Sequence, residues 1–186
     1  MTIPFNLYLA AFVSALMTAL LTLPLWRRWC LHVGLVDDPG HRKIHAATIP
    51  LAGGLAVLTG LLIPLLVATV LLKLNGHTIA NAGLLVYGLD KRAPQLAAIA
   101  FGAVGMVALG LLDDKHELKP LAKFTGQLLI AGVVASSGVR ITLFVPNVSF
   151  SYAVTVLWLL TVINAFNFMD NMNGLCAGLG AISAGL

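Results

Sequence analysis

Gly110-Leu-Leu-Asp113-Asp114-Lys-His-Glu117-Leu-Lys-Pro120-Leu-Ala-Lys123 closes one long apolar run, 94–112, and opens the next, 121–136. A helix needs about 17–25 apolar residues to cross the hydrocarbon core of a bilayer. If both runs cross, two adjacent carboxylates and a lysine lie at the membrane surface, on the short loop between spans. Side by side there, the carboxylates repel and call for a cation between them. Mg²⁺, which prefers oxygen ligands and brings substrate phosphates with it, meets that demand. The competing reading is a solvated pair that caps a helix, a common place for Asp.

Outward from that stretch the pattern repeats. Runs 5–26, 49–72 and 151–169 are equally poor in charge, and a sixth run occupies 175–186. Those 12 residues would span about 18 Å as a helix, short of a core about 30 Å thick. Run 121–136 is also short unless Leu118 and Ser137 are included. With 59% hydrophobic and 10% charged residues, and mean hydropathy +0.96, the chain is far from the soluble average of roughly 25% charged. These features predict an all-α polytopic membrane protein with five complete transmembrane helices and a truncated sixth. One membrane domain, 1–186, is expected as the N-terminal portion of something longer, because no linker, repeat or low-complexity tract divides it. The first run is too long for a signal-peptide core and has no basic residue before it, so it reads as a retained span. Cys30 and Cys176 form no disulfide or zinc spacing.

Lys and Arg distribute unequally between alternate loops. Arg27, Arg28, Arg42, Lys43, Lys115, Lys119 and Lys123 fall on one side; Lys73, Lys91, Arg92 and Arg140 fall on the other. Seven against four puts the first set in the cytoplasm and the N-terminus outside. Six of the seven acids, Asp37, Asp38, Asp113, Asp114, Glu117 and Asp170, share the cytoplasmic side.

Three cytoplasmic clusters follow. Loop 36–45, with Asp37, Asp38, Pro39, Gly40, His41, Arg42, Lys43 and His45, is either an ordinary positive loop or a phosphate holder. Arg suits bidentate phosphate contacts and Lys serves as a point charge. Gly53-Gly54 at the next span entrance suits close helix packing. The Asp113-Asp114 pair is the second cluster. In the third, Asn164, Asn167 and Asn171 recur at i, i+3 and i+7, so a continuing helix would carry them on one face, with Asp170 and Asn173 beside them. Arg27-Arg28-Trp29 reads as a headgroup-level anchor. On the outer side, 73–93 reads as a polar loop without chemistry, and 138–150 suggests a short β-hairpin around Pro146-Asn147.

These clusters resemble the polyprenyl-phosphate N-acetylhexosamine-1-phosphate transferases. The resemblance rests on Asp38-Pro-Gly-His-Arg-Lys43-Ile-His45 with Pro50 and Gly53-Gly54, on Gly110-Leu-Leu-Asp113-Asp114 with Leu118 and Lys123, and on Asn164-Ala-Phe-Asn167 with Asp170, Asn173 and Gly174. It runs the length of the chain, and the three motifs together carry it. It implies about ten transmembrane helices and an active site at the cytoplasmic face of the plasma (inner) membrane. It implies transfer of a sugar-1-phosphate, with N-acetylglucosamine-1-phosphate the default, from a UDP-N-acetylhexosamine to polyprenyl (undecaprenyl) phosphate, with UMP released and Mg²⁺ required. That step would initiate a cell-envelope glycan.

By motif position, Asp113 and Asp114 take the family's essential Asp pair and Lys123 the lysine near the lipid phosphate. Asn167 takes a residue close to the metal, as does Asp114. Arg42, Lys43, His45, Asn164, Asp170 and Asn173 take nucleotide or phosphate contacts, although Asn173 stands where most bacterial members have Asp. Two further family motifs, a Gly-Asp loop and a His-x-His loop, would follow Leu186, so the resemblance implies that this chain alone is inactive. The alternatives are an inactive fragment or another Mg-dependent membrane transferase acting on polyprenyl substrates. A transporter would carry ionisable residues within its spans, and the span centres here hold none. Partners are the two substrates and the bilayer, with room for a homodimer and no role for nucleic acid.

Overall fold

The computed structural model describes residues 5–37, 48–74, 82–169 and 174–185. Each expected apolar stretch carries a helix, although the one expected from 49 becomes helical only at Gly53: α1 is Phe5–Val33, α2 Gly53–Leu74, α3 Ala82–His116, α4 Pro120–Ser136, α5 Val148–Met169 and α6 Leu175–Gly185. Two short strands, β1 Val36–Asp37 and β2 Ile49–Pro50, pair antiparallel between α1 and α2. Among the described residues four helices are long and apolar enough to cross a membrane: Phe5–Val33, Gly53–Leu74, Gly83–His116 and Val148–Met169; Pro120–Ser136 is shorter. Large apolar side chains such as Phe12, Leu61, Phe101, Leu129 and Trp158 are exposed. On a soluble protein such surface would be an aggregation hazard, whereas lipid is a matching solvent for it. The protein is an all-α polytopic membrane protein. It divides into two compact units, 1–119 and 120–186.

In the first unit α1 packs closely on α2. A Cβ on Gly60 would lie 2.9 Å from the Ala15 carbonyl oxygen and 2.9 Å from the Ala19 Cβ, so only glycine permits this approach. Such small-residue contacts carry helix association in lipid, where apolar burial gives little. Beside it, Thr22 and Thr59 hydroxyls lie 2.9 Å apart, and Trp26 Nε1 donates to Thr59 Oγ1 at 3.4 Å. Gly53 and Gly54, expected to be the packing glycines, face open space. The close contact comes at Gly60 instead, two turns further along α2.

The end of α1 is a Schellman turn. Gly34 takes φ +73°, Leu35 N donates to the Cys30 carbonyl at 2.8 Å, and the Leu35 side chain packs with Cys30 in a buried cluster completed by Ala52 and Leu55. The chain then enters β1, whose Val36 faces Pro50 and whose Asp37 faces Ile49. Val107 and Leu111 of α3 pack against the same cluster. The end of α1, the strand pair, the start of α2 and the last turns of α3 are therefore built on one apolar nucleus.

The start of α3 corrects an expectation. The segment read as an outer loop to residue 93 is helical from Ala82, and Pro94 lies inside the helix. Pro94 cannot donate to the Asp90 carbonyl, but the helix extends back to Ala82, and its Asp90 and Lys91 both have partners. Lys73 and Asp90 form an ion pair at 2.9 Å, and the Lys91 ammonium lies 5.7 Å from the Tyr87 ring centre. At 35 residues, α3 is about 52 Å long, well beyond a hydrocarbon core of about 30 Å.

In the second unit α4 packs on α5. The hairpin expected at 138–150 is absent, and residues 139–147 run without strand structure into α5. The physical reason lies in α5 itself. Ile141 N donates to Thr155 Oγ1 at 2.9 Å and the Ser151 hydroxyl donates to the Ile141 carbonyl at 2.6 Å. Two buried hydroxyls thus take the backbone bonds of Ile141 that a neighbouring strand would otherwise supply. Arg140 lies 5.1 Å from the Tyr152 ring centre, an arrangement suited to a membrane interface.

Candidate functional site

Asp113 and Asp114 do not stand on a loop. They occupy the last turns of α3, which ends at His116; Asp113 is half-buried and Asp114 exposed. This is the end of a helix that repels anions, because its unpaired carbonyls carry partial negative charge, an effect of a few tenths to about 1 kcal/mol per charge. Lys115 and His116 in the same turn suit that end. The aspartates do not, and the capping role common for Asp belongs to the opposite end of a helix. Adjacent helical residues also point about 100° apart, so the two carboxylates present separate oxygens rather than one chelating pair.

The turn that follows is strained. Glu117 adopts φ +47°, the left-handed region that costs a residue with a Cβ about 1–2 kcal/mol. Its amide donates to the Asp113 carbonyl at 2.8 Å, which closes α3. Val107 and Leu111, anchored in the apolar nucleus, hold the preceding turns in place.

The expected cationic loop residues Arg42, Lys43 and His45 lie outside the described residues, and so do Asp170, Asn171 and Asn173. The strand pair at 36–37 and 49–50 nevertheless brings the two ends of the Arg42 segment together on the nucleus that carries α3.

In the second unit the structure joins two expected residues. Lys123 Nζ donates to Asn167 Oδ1 at 3.3 Å. A lysine only donates, so Asn167 must present its oxygen. One turn deeper, Asn164 Nδ2 donates to Gln127 Oε1 at 2.9 Å and to the Leu160 carbonyl at 2.9 Å. The same logic settles both amides: a backbone carbonyl only accepts, so Asn164 turns its nitrogen inward and Gln127 answers with oxygen. Gln127, 3% exposed, is the residue that reading the sequence missed. Its signal was present, since Lys123 and Gln127 at i, i+4 share a helix face just as Asn164 and Asn167 do at i, i+3.

Mg²⁺ keeps several waters and binds through one or two carboxylates plus substrate phosphates rather than in an all-protein cage. Among the described residues no three His, Cys, Asp or Glu side chains form a metal-holding group. The exposed Asp114 carboxylate fits the first mode of binding.

Residues 96–186 match the family model of glycosyl transferase family 4. The chain is 33% identical, over 92% of its length and 45% of the relative's, to a probable undecaprenyl-phosphate N-acetylglucosaminyl 1-phosphate transferase of Bacillus subtilis (strain 168). The chain belongs to glycosyl transferase family 4. Other relatives of this family-4 chain include a decaprenyl-phosphate N-acetylglucosaminephosphotransferase of Mycobacterium tuberculosis (strain CDC 1551 / Oshkosh), 30% identical over 96% of the chain and 44% of that protein. An undecaprenyl-phosphate alpha-N-acetylglucosaminyl 1-phosphate transferase of Yersinia pestis is 29% identical over 86% and 40% respectively. The chain spans under half the length of these curated relatives. No solved structure matches this family-4 chain.

Proposed function

We propose that the protein transfers N-acetylglucosamine-1-phosphate from UDP-N-acetylglucosamine to a polyprenyl phosphate, releasing UMP. The observation that carries this reading is the similarity, over 92% and 96% of the chain, to proteins named as N-acetylglucosaminyl-1-phosphate transferases acting on undecaprenyl and decaprenyl phosphate. In the reaction an oxygen of the lipid phosphate attacks the sugar-linked phosphorus. The bond to the bridging oxygen breaks, and the electron pair leaves on UMP. A phosphate monoester has a second pKa of about 6 and is mostly a dianion at neutral pH, so the nucleophile needs no base.

The barrier is then the approach of several negative charges, which positioned cations lower. Lys123, held by Asn167, meets the lipid phosphate. Arg42, Lys43 and His45, with Asn164, Asp170 and Asn173, take the nucleotide's phosphates and base. Bound Mg²⁺ would neutralise the pyrophosphate, and Asp114 is the residue we assign to hold it. Asp113 orients the reacting groups. Asn167 is implied near the metal by family position; its side-chain oxygen here faces the Lys123 ammonium, and we assign it first to holding that lysine. These residues face the cytoplasm in the plasma membrane, with the N-terminus outside.

The test is a radiolabel-transfer assay on the protein expressed from its full reading frame, with a panel of UDP-sugars, polyprenyl phosphate and Mg²⁺. Labelled lipid and UMP are expected with UDP-N-acetylglucosamine and are lost on chelation with EDTA. Absence of transfer from every UDP-sugar would overturn the reading; transfer that persists in EDTA would remove the metal from it.

A further inference from the structure

We infer that Gln127 is a positioning residue for the lipid-phosphate site: by gripping Asn164 it sets the rotation of α4 against α5 and thereby presents Lys123 to the substrate. The inference rests on the transfer reaction proposed above and deepens it. Two polar rungs join α4 and α5, Lys123 to Asn167 at 3.3 Å and Gln127 to Asn164 at 2.9 Å. They are unequal. The first ends in a flexible four-carbon lysine stem, and a long charged side chain of this kind does not hold a helix at one rotation.

The second rung is built of short, packed parts. Gln127 is 3% exposed, as one of a buried row on α4 with Ala131, Val134 and Ala135. Its partner Asn164 is tied by the same nitrogen to the Leu160 carbonyl of its own helix at 2.9 Å. Leu160 orients Asn164, Asn164 orients Gln127, and Gln127 lies one turn from Lys123 on the same stripe. A side chain locked by packing and a hydrogen bond to a second locked side chain is what holds a binding group in register. Interhelical hydrogen bonds also serve simply to join helices. The two roles differ in outcome: a joining contact alters how much protein folds, and a positioning contact alters the affinity for one substrate.

The test uses the protein from its full reading frame and Gln127→Met, which keeps the length of the side chain and loses its acceptor. The Michaelis constant for polyprenyl phosphate should rise about 3- to 10-fold, the worth of one such bond, while that for the UDP-sugar changes less than about twofold. In a Lys123→Ala background Gln127→Met should add nothing further. Gln127→Glu, which keeps an acceptor oxygen, should recover most of the lost lipid affinity. Equal effects on both substrates, or additivity with Lys123→Ala, would overturn the inference.

A second readout needs no substrate. The rate at which an amine-reactive ester labels Lys123, normalised to Lys73 in the same molecule and read by mass spectrometry, should change about threefold or more in Gln127→Met. An unchanged ratio overturns the inference whatever the kinetics. A changed ratio in a protein that transfers no sugar phosphate upholds the coupling of Gln127 to Lys123 and overturns the functional reading instead.

Discussion

Two helices of the first unit end in the same backbone conformation for different reasons. At the end of α1 the left-handed residue is Gly34 and at the end of α3 it is Glu117. The first turn is relaxed and apolar, with Leu35 folded back on Cys30 in a buried cluster. The second carries a Cβ where glycine is preferred, and two aspartates precede it at the helix end least hospitable to negative charge. Both ends rest on the same nucleus. Packing accounts for the first turn, whereas the second also carries the backbone cost of a left-handed Glu117. Strain that local packing does not require is a sign that the position serves chemistry.

The largest expected effect separates the two ends by activity. Asp114→Asn should lower sugar-phosphate transfer by about 100-fold or more in the full-length enzyme, with membrane insertion unchanged. Gly34→Ala should leave turnover per folded molecule near the parent's. Comparable losses in both variants, measured on purified protein at saturating Mg²⁺, would erase the distinction.

Next in size is stability. Beyond its chain neighbours no atom lies within 4 Å of a Cβ built on Gly34, so Gly34→Ala should cost the backbone strain alone, about 1–2 kcal/mol. A lowered thermal midpoint in detergent is the expected result. Smallest is the reverse change at the other end. Glu117→Gly removes the strain at the expense of chain entropy and should leave stability unchanged or raise it by up to about 1 kcal/mol. A clear loss of stability would mean that the Glu117 side chain itself holds the turn.

Much of this architecture was legible in the composition of the runs, because a lipid-facing helix needs only length and apolarity to announce itself. Each apolar run carries a helix, although one pairs as a strand at its 49–50 end, and the Asp pair lies inside the end of α3 rather than on the loop expected. What sequence alone placed wrongly was decided by partners distant along the chain. The charges at Asp90 and Lys91 looked like a loop until the ion pair with Lys73 and the Tyr87 ring showed how the helix carries them. The alternation around Pro146 looked like a hairpin because nothing local reveals that Ser151 and Thr155 occupy the backbone of Ile141. In the site, the Lys123 and Asn167 motifs were readable one by one. Gln127 was hidden in an apolar run, where a single polar residue gains meaning only from the asparagine opposite.

The strand pair between α1 and α2 is two residues long on each side, yet it separates two kinds of change. Because Val36 to Asp37 and Ile49 to Pro50 are tied to each other, the spacing of the two helices is set by the tie and not by the chain between. Lengthening a closed loop is inexpensive, about 0.6 kcal/mol for each doubling. Residues inserted or exchanged from 38 to 47 therefore leave the α1–α2 scaffold where it is. Variation between the strands is thereby expected to cost the fold little, whereas variation within them is not.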